Sequence, residues 1–295
     1  MAPVGTTEPQ IRVANSRLRV GRFSQAGDAV TLTQADATTC GAACLLAARL
    51  LIDGQERRRL GRVLEAGRAL ETGGAPDAGP GTGALLAEAL NLRQKTLQRT
   101  INSAGLWLAS WPRALGSTPW AVARAMSMTG AASAKPLPAG SAAPAGPGAP
   151  DASPAPASPG RPGQPMRYEV RWVRDHGPHW PAQVEKMRRH LARGRPVLLL
   201  TGGPLGLDRG APGLAGLSAR MCGSLVVPRH YVLALPWALI GQRDPGPGAA
   251  HLYEPGSGSV RALDLLAARD PRSPGPRQLG GWPRILALLN PADPD

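Results

Sequence analysis

The segment Thr31-Leu-Thr-Gln34-Ala-Asp-Ala-Thr-Thr-Cys40-Gly41-Ala-Ala-Cys44 sets an amide and a thiol just ahead of an apolar, helix-forming run. A cysteine at a helix start can serve as a nucleophile, because unpaired backbone N–H groups and the positive end of the helix dipole favour thiolate over thiol. Thr38 and Thr39 are candidate caps for that helix. Gln34, six residues before Cys40, can donate a side-chain N–H to an oxygen that turns negative when a thiolate adds to a carbonyl. The bland alternative is that Cys40 is a small buried hydrophobe, the commonest fate of a free cysteine. Its spacing to Gln34 and its place at a helix start favour the nucleophile. Cys44, one turn later on the same face, is expected in the core rather than as a redox partner, and Cys222 is expected to be structural or exposed. Cys-x3-Cys without a second paired motif is a poor zinc signal, so no metal or organic cofactor is expected.

Gln34, five intervening residues, then Cys40-Gly41 and a helix resembles the papain-like cysteine peptidases. Within them it is similar to the bacteriocin-processing type that cleaves after double-glycine leaders. The resemblance implies an α+β fold with an N-terminal helical half bearing the Cys, a C-terminal antiparallel sheet half bearing the His, and a site between them. It also implies a histidine at the start of a strand, then an acidic residue before a proline. His230 opens His-Tyr-Val-Leu-Ala-Leu, and Glu254 precedes Pro255 in a short strand running into a turn. The resemblance therefore implies four site residues. Cys40 is the nucleophile, His230 the base, Glu254 the residue that orients the imidazole, and Gln34 an oxyanion donor with the Cys40 N–H. The family usually carries Asp before that proline, so Glu254 is a departure; Asp244, or no third residue at all, is the alternative. Taken alone, His230 on an apolar strand would be a hydrogen-bonded core histidine. His176 and His179 fall in a loop.

These residues need elements to hold them. Ala29 to Thr33 reads as a short extended segment and Cys40 to about Ile52 as the first helix, ending near Asp53-Gly54. Gln55 to Leu70 and a run beginning at Thr82 are further helices, and Ser117-Thr-Pro119-Trp120 is a helix start. Trp107, Trp111 and Trp120 are expected to serve core or lid packing. Arg167 to Val173 alternates at period two, Trp180 to Ala192 reads as a helix ending at Gly194, and Pro196 to Thr201 is an apolar strand. Residues 202 to 217 form a glycine-rich loop, a candidate lid. Ser224 to Val227 with His230 to Leu235 suggests a hairpin or bent strand. Leu252-Tyr253, Ser259 to Leu263 and Ile285 to Leu289 complete the sheet, with Asp264 starting a short helix.

Gly 37 and Pro 32 make up nearly a quarter of the 295 residues, and 131–165 is almost wholly Ala, Pro, Gly and Ser. Such a segment buries too little apolar surface to offset its ordering entropy. The expected division is a flexible lead-in 1–28, a helical half 29–130, a disordered linker or insertion 131–165, and a β-rich half 166–295. The net charge of +14 comes from arginine, since three of the 34 basic residues are lysine. A positive field suits acidic partners, but no helix-turn-helix, zinc-finger or RNP pattern accompanies it, so nucleic acid is a disfavoured partner. Arg57-Arg58-Arg59 reads as a solvated helix face. Three cysteines do not make a disulfide framework, and no basic n-region with an apolar core opens the chain. No apolar run reaches the roughly 20 residues of a membrane span. A cytoplasmic, stand-alone domain is expected, without the phosphate-binding loop of an attached transporter. The expected function is hydrolysis of a peptide or isopeptide bond through a thioester, with deamidation or acyl transfer as chemical variants. The alternatives are a catalytically silent domain of the same fold that binds a peptide or protein, and a basic nucleic-acid-binding protein.

Overall fold

The computed structural model describes residues 8–23, 29–71, 82–103, 117–128, 166–204 and 226–293. The expected linker 131–165, Trp107, Trp111, Cys222 and the glycine-rich stretch from 205 to 217 lie outside the described residues.

Residues 10–21, expected within a flexible lead-in, form a hairpin instead. Strands β1 (Gln10–Ala14) and β2 (Arg17–Gly21) pair antiparallel across Asn15 and Ser16, whose φ angles of 51° and 56° turn the chain tightly. Ile11, Leu18 and Val20 are buried, so the alternating pattern Ile-Arg-Val and Leu-Arg-Val carries an inward face. Strand β3 (Ala29–Thr31) pairs with β2.

Four helices follow: α1 (Cys40–Ile52), α2 (Gly54–Glu71), α3 (Thr82–Ser103) and α4 (Pro119–Ser127). Helix α1 is apolar on nearly every side because α2, α3, α4 and the sheet surround it. Each buried leucine along it, such as Leu46 or Leu50, contributes about 1.5–3 kcal/mol by leaving water. Its C-terminal carbonyls on Leu50 and Leu51 accept hydrogen bonds from Arg57, at 2.9 and 3.2 Å. The Arg57-Arg58-Arg59 run is thus not purely a solvated face, since its first member completes a helix end. Between α2 and α3, Arg93 grips Glu56 with two bonds of 2.6 and 2.7 Å. Thr118 caps α4, accepting from the Ala121 N–H at 3.2 Å. Trp120 is 57% exposed, against the core packing expected of it, because its neighbours Ala121, Val122 and Ala125 take the inward face of α4. Its ring tilts against Trp172, with centroids 6.0 Å apart.

The rest of the described chain builds the sheet around one more helix, α5 (Trp180–Ala192). The strands are β4 (Tyr168–Trp172), β5 (Val197–Pro204), β6 (Val226–Leu235), β7 (Ala249–Glu254), β8 (Ser259–Asp264) and β9 (Arg284–Pro291). Among the described residues the order is β1-β2-β8-β7-β6-β5-β9-β4, every pair antiparallel. Strand β6 is one strand with a register shift opposite Thr201 and Gly202. The fold is therefore mixed α+β, with a large antiparallel sheet.

Both faces of the sheet centre are covered, which explains the unbroken apolar run of β5. Leu198 and Leu200 join the core shared with α1 to α4, whereas Val197 and Leu199 join Val184, Met187 and Leu191 of α5. Asp264 starts no helix; its carboxylate accepts the Leu266 N–H at 2.9 Å in a turn. A short helical turn, Arg277–Leu279, precedes β9. Among the described residues no helix is long and apolar enough to cross a membrane.

Candidate active site

Cys40 is the first residue of α1 and is buried. Thr39 occupies the N-cap position, but its hydroxyl does not cap the helix as expected. It accepts the Asp36 N–H and donates to the Asp36 carbonyl, both at 3.0 Å. Thr38 instead binds the Asp36 carboxylate through its N–H and hydroxyl, at 2.9 and 2.7 Å. The turn before Cys40 is thus held by its own side chains, which leaves the first-turn N–H groups without a capping hydroxyl. Cys44, one turn on, is fully buried with its sulfur 3.5 Å from the Tyr231 carbonyl. Burial raises its thiol well above the ordinary range, and the neighbouring Cys40 and Glu254 add to the effect. Cys44 therefore stays a thiol packed in the core.

His230 lies toward the outer end of the apolar half of β6, directly opposite Thr201 of β5. Its Nε2 is 3.0 Å from Oε1 of Glu254, and Cys40 lies close enough to act on its ionisation. Burial works to hold the imidazole neutral, but the bonds to Cys40 and Glu254 overcome it and raise the pKa to about 9. At neutral pH the ring is an imidazolium.

Glu254 ends β7 and is cradled by the turn that follows. Its Oε1 accepts the Gly256 N–H at 2.6 Å, and its Oε2 accepts the Ser257 N–H and hydroxyl at 2.8 and 2.6 Å. Burial opposes ionisation here, yet the bonds from His230, Ser257 and Gly256 bring the carboxyl down to about 2. The longer Glu side chain in place of Asp thus bends back over its own turn and still meets the imidazole. Asp244, the rival third residue, is committed elsewhere: both oxygens pair with Arg188 at 2.9 and 3.0 Å.

Gln34 is half-buried in the loop between β3 and α1. Its backbone N–H donates to the carbonyl of Pro255 at 2.8 Å, next to Glu254. Its side-chain oxygen is buried and has no hydrogen-bond partner among the described residues. A second bond joins the same two segments, Tyr253 donating to Leu32 O at 3.1 Å, while Tyr231 next to His230 donates to Ser117 O just before α4 at 2.8 Å. The segments carrying Gln34 and Glu254 are therefore stitched to one another by backbone-directed bonds.

Several contributors escape sequence reasoning. Gly280 lies against the imidazole so closely that a Cβ there would fall 2.3 Å from His230 Cδ2, and its φ of 70° also favours glycine. Thr201 donates to the carbonyls of both His230 and Leu279, at 3.2 and 3.1 Å, clamping β6 to the Gly280 turn. A glycine pair at 280 and 281 was the available signal, but nothing local says which side chain it faces. The remaining histidines serve other ends. His176 pairs with Arg284 and Asp175, and His251 with the Arg243 carbonyl. Burial lowers His190 to about 4. Among the described residues no group of three or more His, Cys, Asp or Glu side chains gathers to hold a metal ion.

None of the family models, curated proteins or solved structures compared matches the chain.

Proposed function

We propose that the chain is a papain-like thiol hydrolase that cleaves a peptide or isopeptide bond through an acyl-enzyme at Cys40. One observation carries this reading: the imidazole of His230 is hydrogen-bonded to the ionised Glu254, itself held by its own turn, with Cys40 near enough to favour the charged ring. A buried cysteine with only a structural duty has no use for a charged ring held in place by a desolvated carboxylate. The Cys at a helix start in the first half, followed by a strand-borne His and an acid in the second, also follows the papain-like order.

In this reading the Cys40 sulfur adds to the carbonyl carbon, and the electron pair of the C=O bond moves onto oxygen. The Cys40 N–H and the Gln34 side chain receive that oxyanion. As the tetrahedral species collapses, the imidazolium gives its proton to the leaving amine and a thioester remains. His230, now neutral, takes a proton from water, whose oxygen attacks the thioester; the C–S bond breaks, releasing the acid and the Cys40 thiolate beside the restored imidazolium. Glu254 keeps the ring oriented and favours its protonated form throughout.

The test is labelling with a peptidyl thiol-reactive probe at mildly acidic pH. Cys40 should be modified selectively over Cys44 and Cys222, and His230→Ala should slow the reaction by about 100-fold or more. Modification of Cys40 no faster than of Cys222, or a rate indifferent to His230, would sink the reading.

A further inference from the structure

We propose that Gln94 is a positioning residue for the oxyanion hole, acting through Gln34; this role rests on the thiol-hydrolase reading. Gln94 lies on α3 and is completely buried. Its side-chain oxygen accepts the N–H of Ala35 at 3.0 Å, and its side-chain nitrogen donates to the carbonyl of Thr33 at 2.8 Å. Those two groups belong to the residues on either side of Gln34. One partner is a donor and the other an acceptor, so the amide is fixed in a single orientation and neither a carboxylate nor an amine could satisfy both.

The loop from Leu32 to Thr39 belongs to no strand or helix, and past the Leu32 N–H, which donates to Leu18 O at 2.8 Å, it has no ladder partner. Gln94 supplies two bonds in the manner of a neighbouring strand. With the Gln34 N–H to Pro255 and the Tyr253 hydroxyl to Leu32 O, each of the four consecutive residues 32–35 is tied by at least one backbone group. Gln34 needs this support because its own side-chain oxygen has no hydrogen-bond partner among the described residues. The direction of its amide is inherited from the backbone that Gln94 holds. A displacement of about 1 Å of such a donor is enough to lose about 100-fold in rate.

Gln94→Met, of similar length and without hydrogen bonds, should lower kcat for peptide hydrolysis about 10- to 100-fold with little change in KM. Inhibition by a peptide aldehyde, whose hemithioacetal oxygen occupies the oxyanion site, should weaken in proportion. Alkylation of Cys40 by iodoacetamide forms no oxyanion, so its rate and pH profile should match wild type. In a Gln34→Ala background the same substitution should cost nothing further. Gln94→Glu provides a second variant where Gln94→Met fails to fold. It keeps both bonds only while its carboxyl is protonated, so its kcat relative to wild type should fall as pH rises. The proposal is overturned if folded Gln94→Met keeps its kcat, if alkylation falls in step with kcat, if the loss persists without the Gln34 side chain, or if the Gln94→Glu ratio is independent of pH. A wild-type protein that neither hydrolyses peptides nor binds the aldehyde would overturn the hydrolase reading itself, and this role with it.

Discussion

Glu254 and His230 set opposite ends of one pH range. The imidazole is raised from 6.5 to about 9 by its bonds to Cys40 and Glu254, so the stability it contributes is full below pH 6.5 and is lost as pH rises through about 9. The carboxyl is lowered from 4.5 to about 2, so its contribution is present above pH 4.5 and is lost as pH falls toward 2. Both are complete between those two unshifted values. In the proposed reaction the imidazolium protonates the leaving amine, so kcat for hydrolysis should decline on an alkaline limb near pH 9. Glu254→Gln removes the negative charge that helps keep the ring protonated, and its limb should move to lower pH; a kcat–pH series with an unmoved limb would exclude Glu254 from that duty. The helix start at Cys40 was legible from the apolar run that follows it, and the meeting of His230 with Glu254 because their order along the chain could be searched for. Gln94 and Gly280 were not, since each acts on a residue far away in sequence through contacts that only the folded register creates.

Elements decide how rigidly those residues meet. The helix start at Cys40, the α5 helix and the apolar β5 strand were readable because apolar runs, periodicity and two-sided burial leave local marks. The β1–β2 hairpin carried alternation and an Asn-Ser turn, but Arg12, Arg17 and Arg19 disguised it as polar lead-in. Asp264 showed the opposite failure, because the same side-chain acceptor that caps a helix also closes a turn. The turn before β9 is the element most exposed to a single change. Gly280→Ala would demand a positive φ and put a methyl group where the imidazole ring sits. The ring or the turn must give way, and Thr201 ties both to the same strand. We expect a loss of stability of about 1–3 kcal/mol in chemical denaturation, with a larger relative loss of Cys40 reactivity, since the ring is displaced before the core is. Equal reactivity in wild type and Gly280→Ala would show that the contact does not position His230.

At the scale of the whole molecule, the division into a helical and a sheet half is incomplete. The first three strands enter the sheet beside β8, with Leu18 donating to Gly258 O at 2.9 Å and Val260 to Ser16 O at 2.8 Å. The N-terminal strands thus extend the sheet past β8, beside the turn that cradles Glu254, and Gly258, where a Cβ would meet Leu32 O at 2.7 Å, seals that junction. Composition could not reveal this, because strand pairing over more than two hundred residues leaves no local signature. It does reveal the field around the site. A net charge of +14 carried by arginine draws acidic chains toward the molecule wherever they engage it. If the substrate is a peptide, kcat/KM for an acidic one should fall about tenfold as salt rises from about 0.02 M to about 0.5 M, because counter-ions screen the attraction. A neutral peptide of the same length should change little, and kcat for either should hold, since screening alters encounter and leaves the desolvated imidazolium and carboxylate untouched. Equal salt dependence for the two peptides would separate the positive charge from substrate capture and return it to solubility alone.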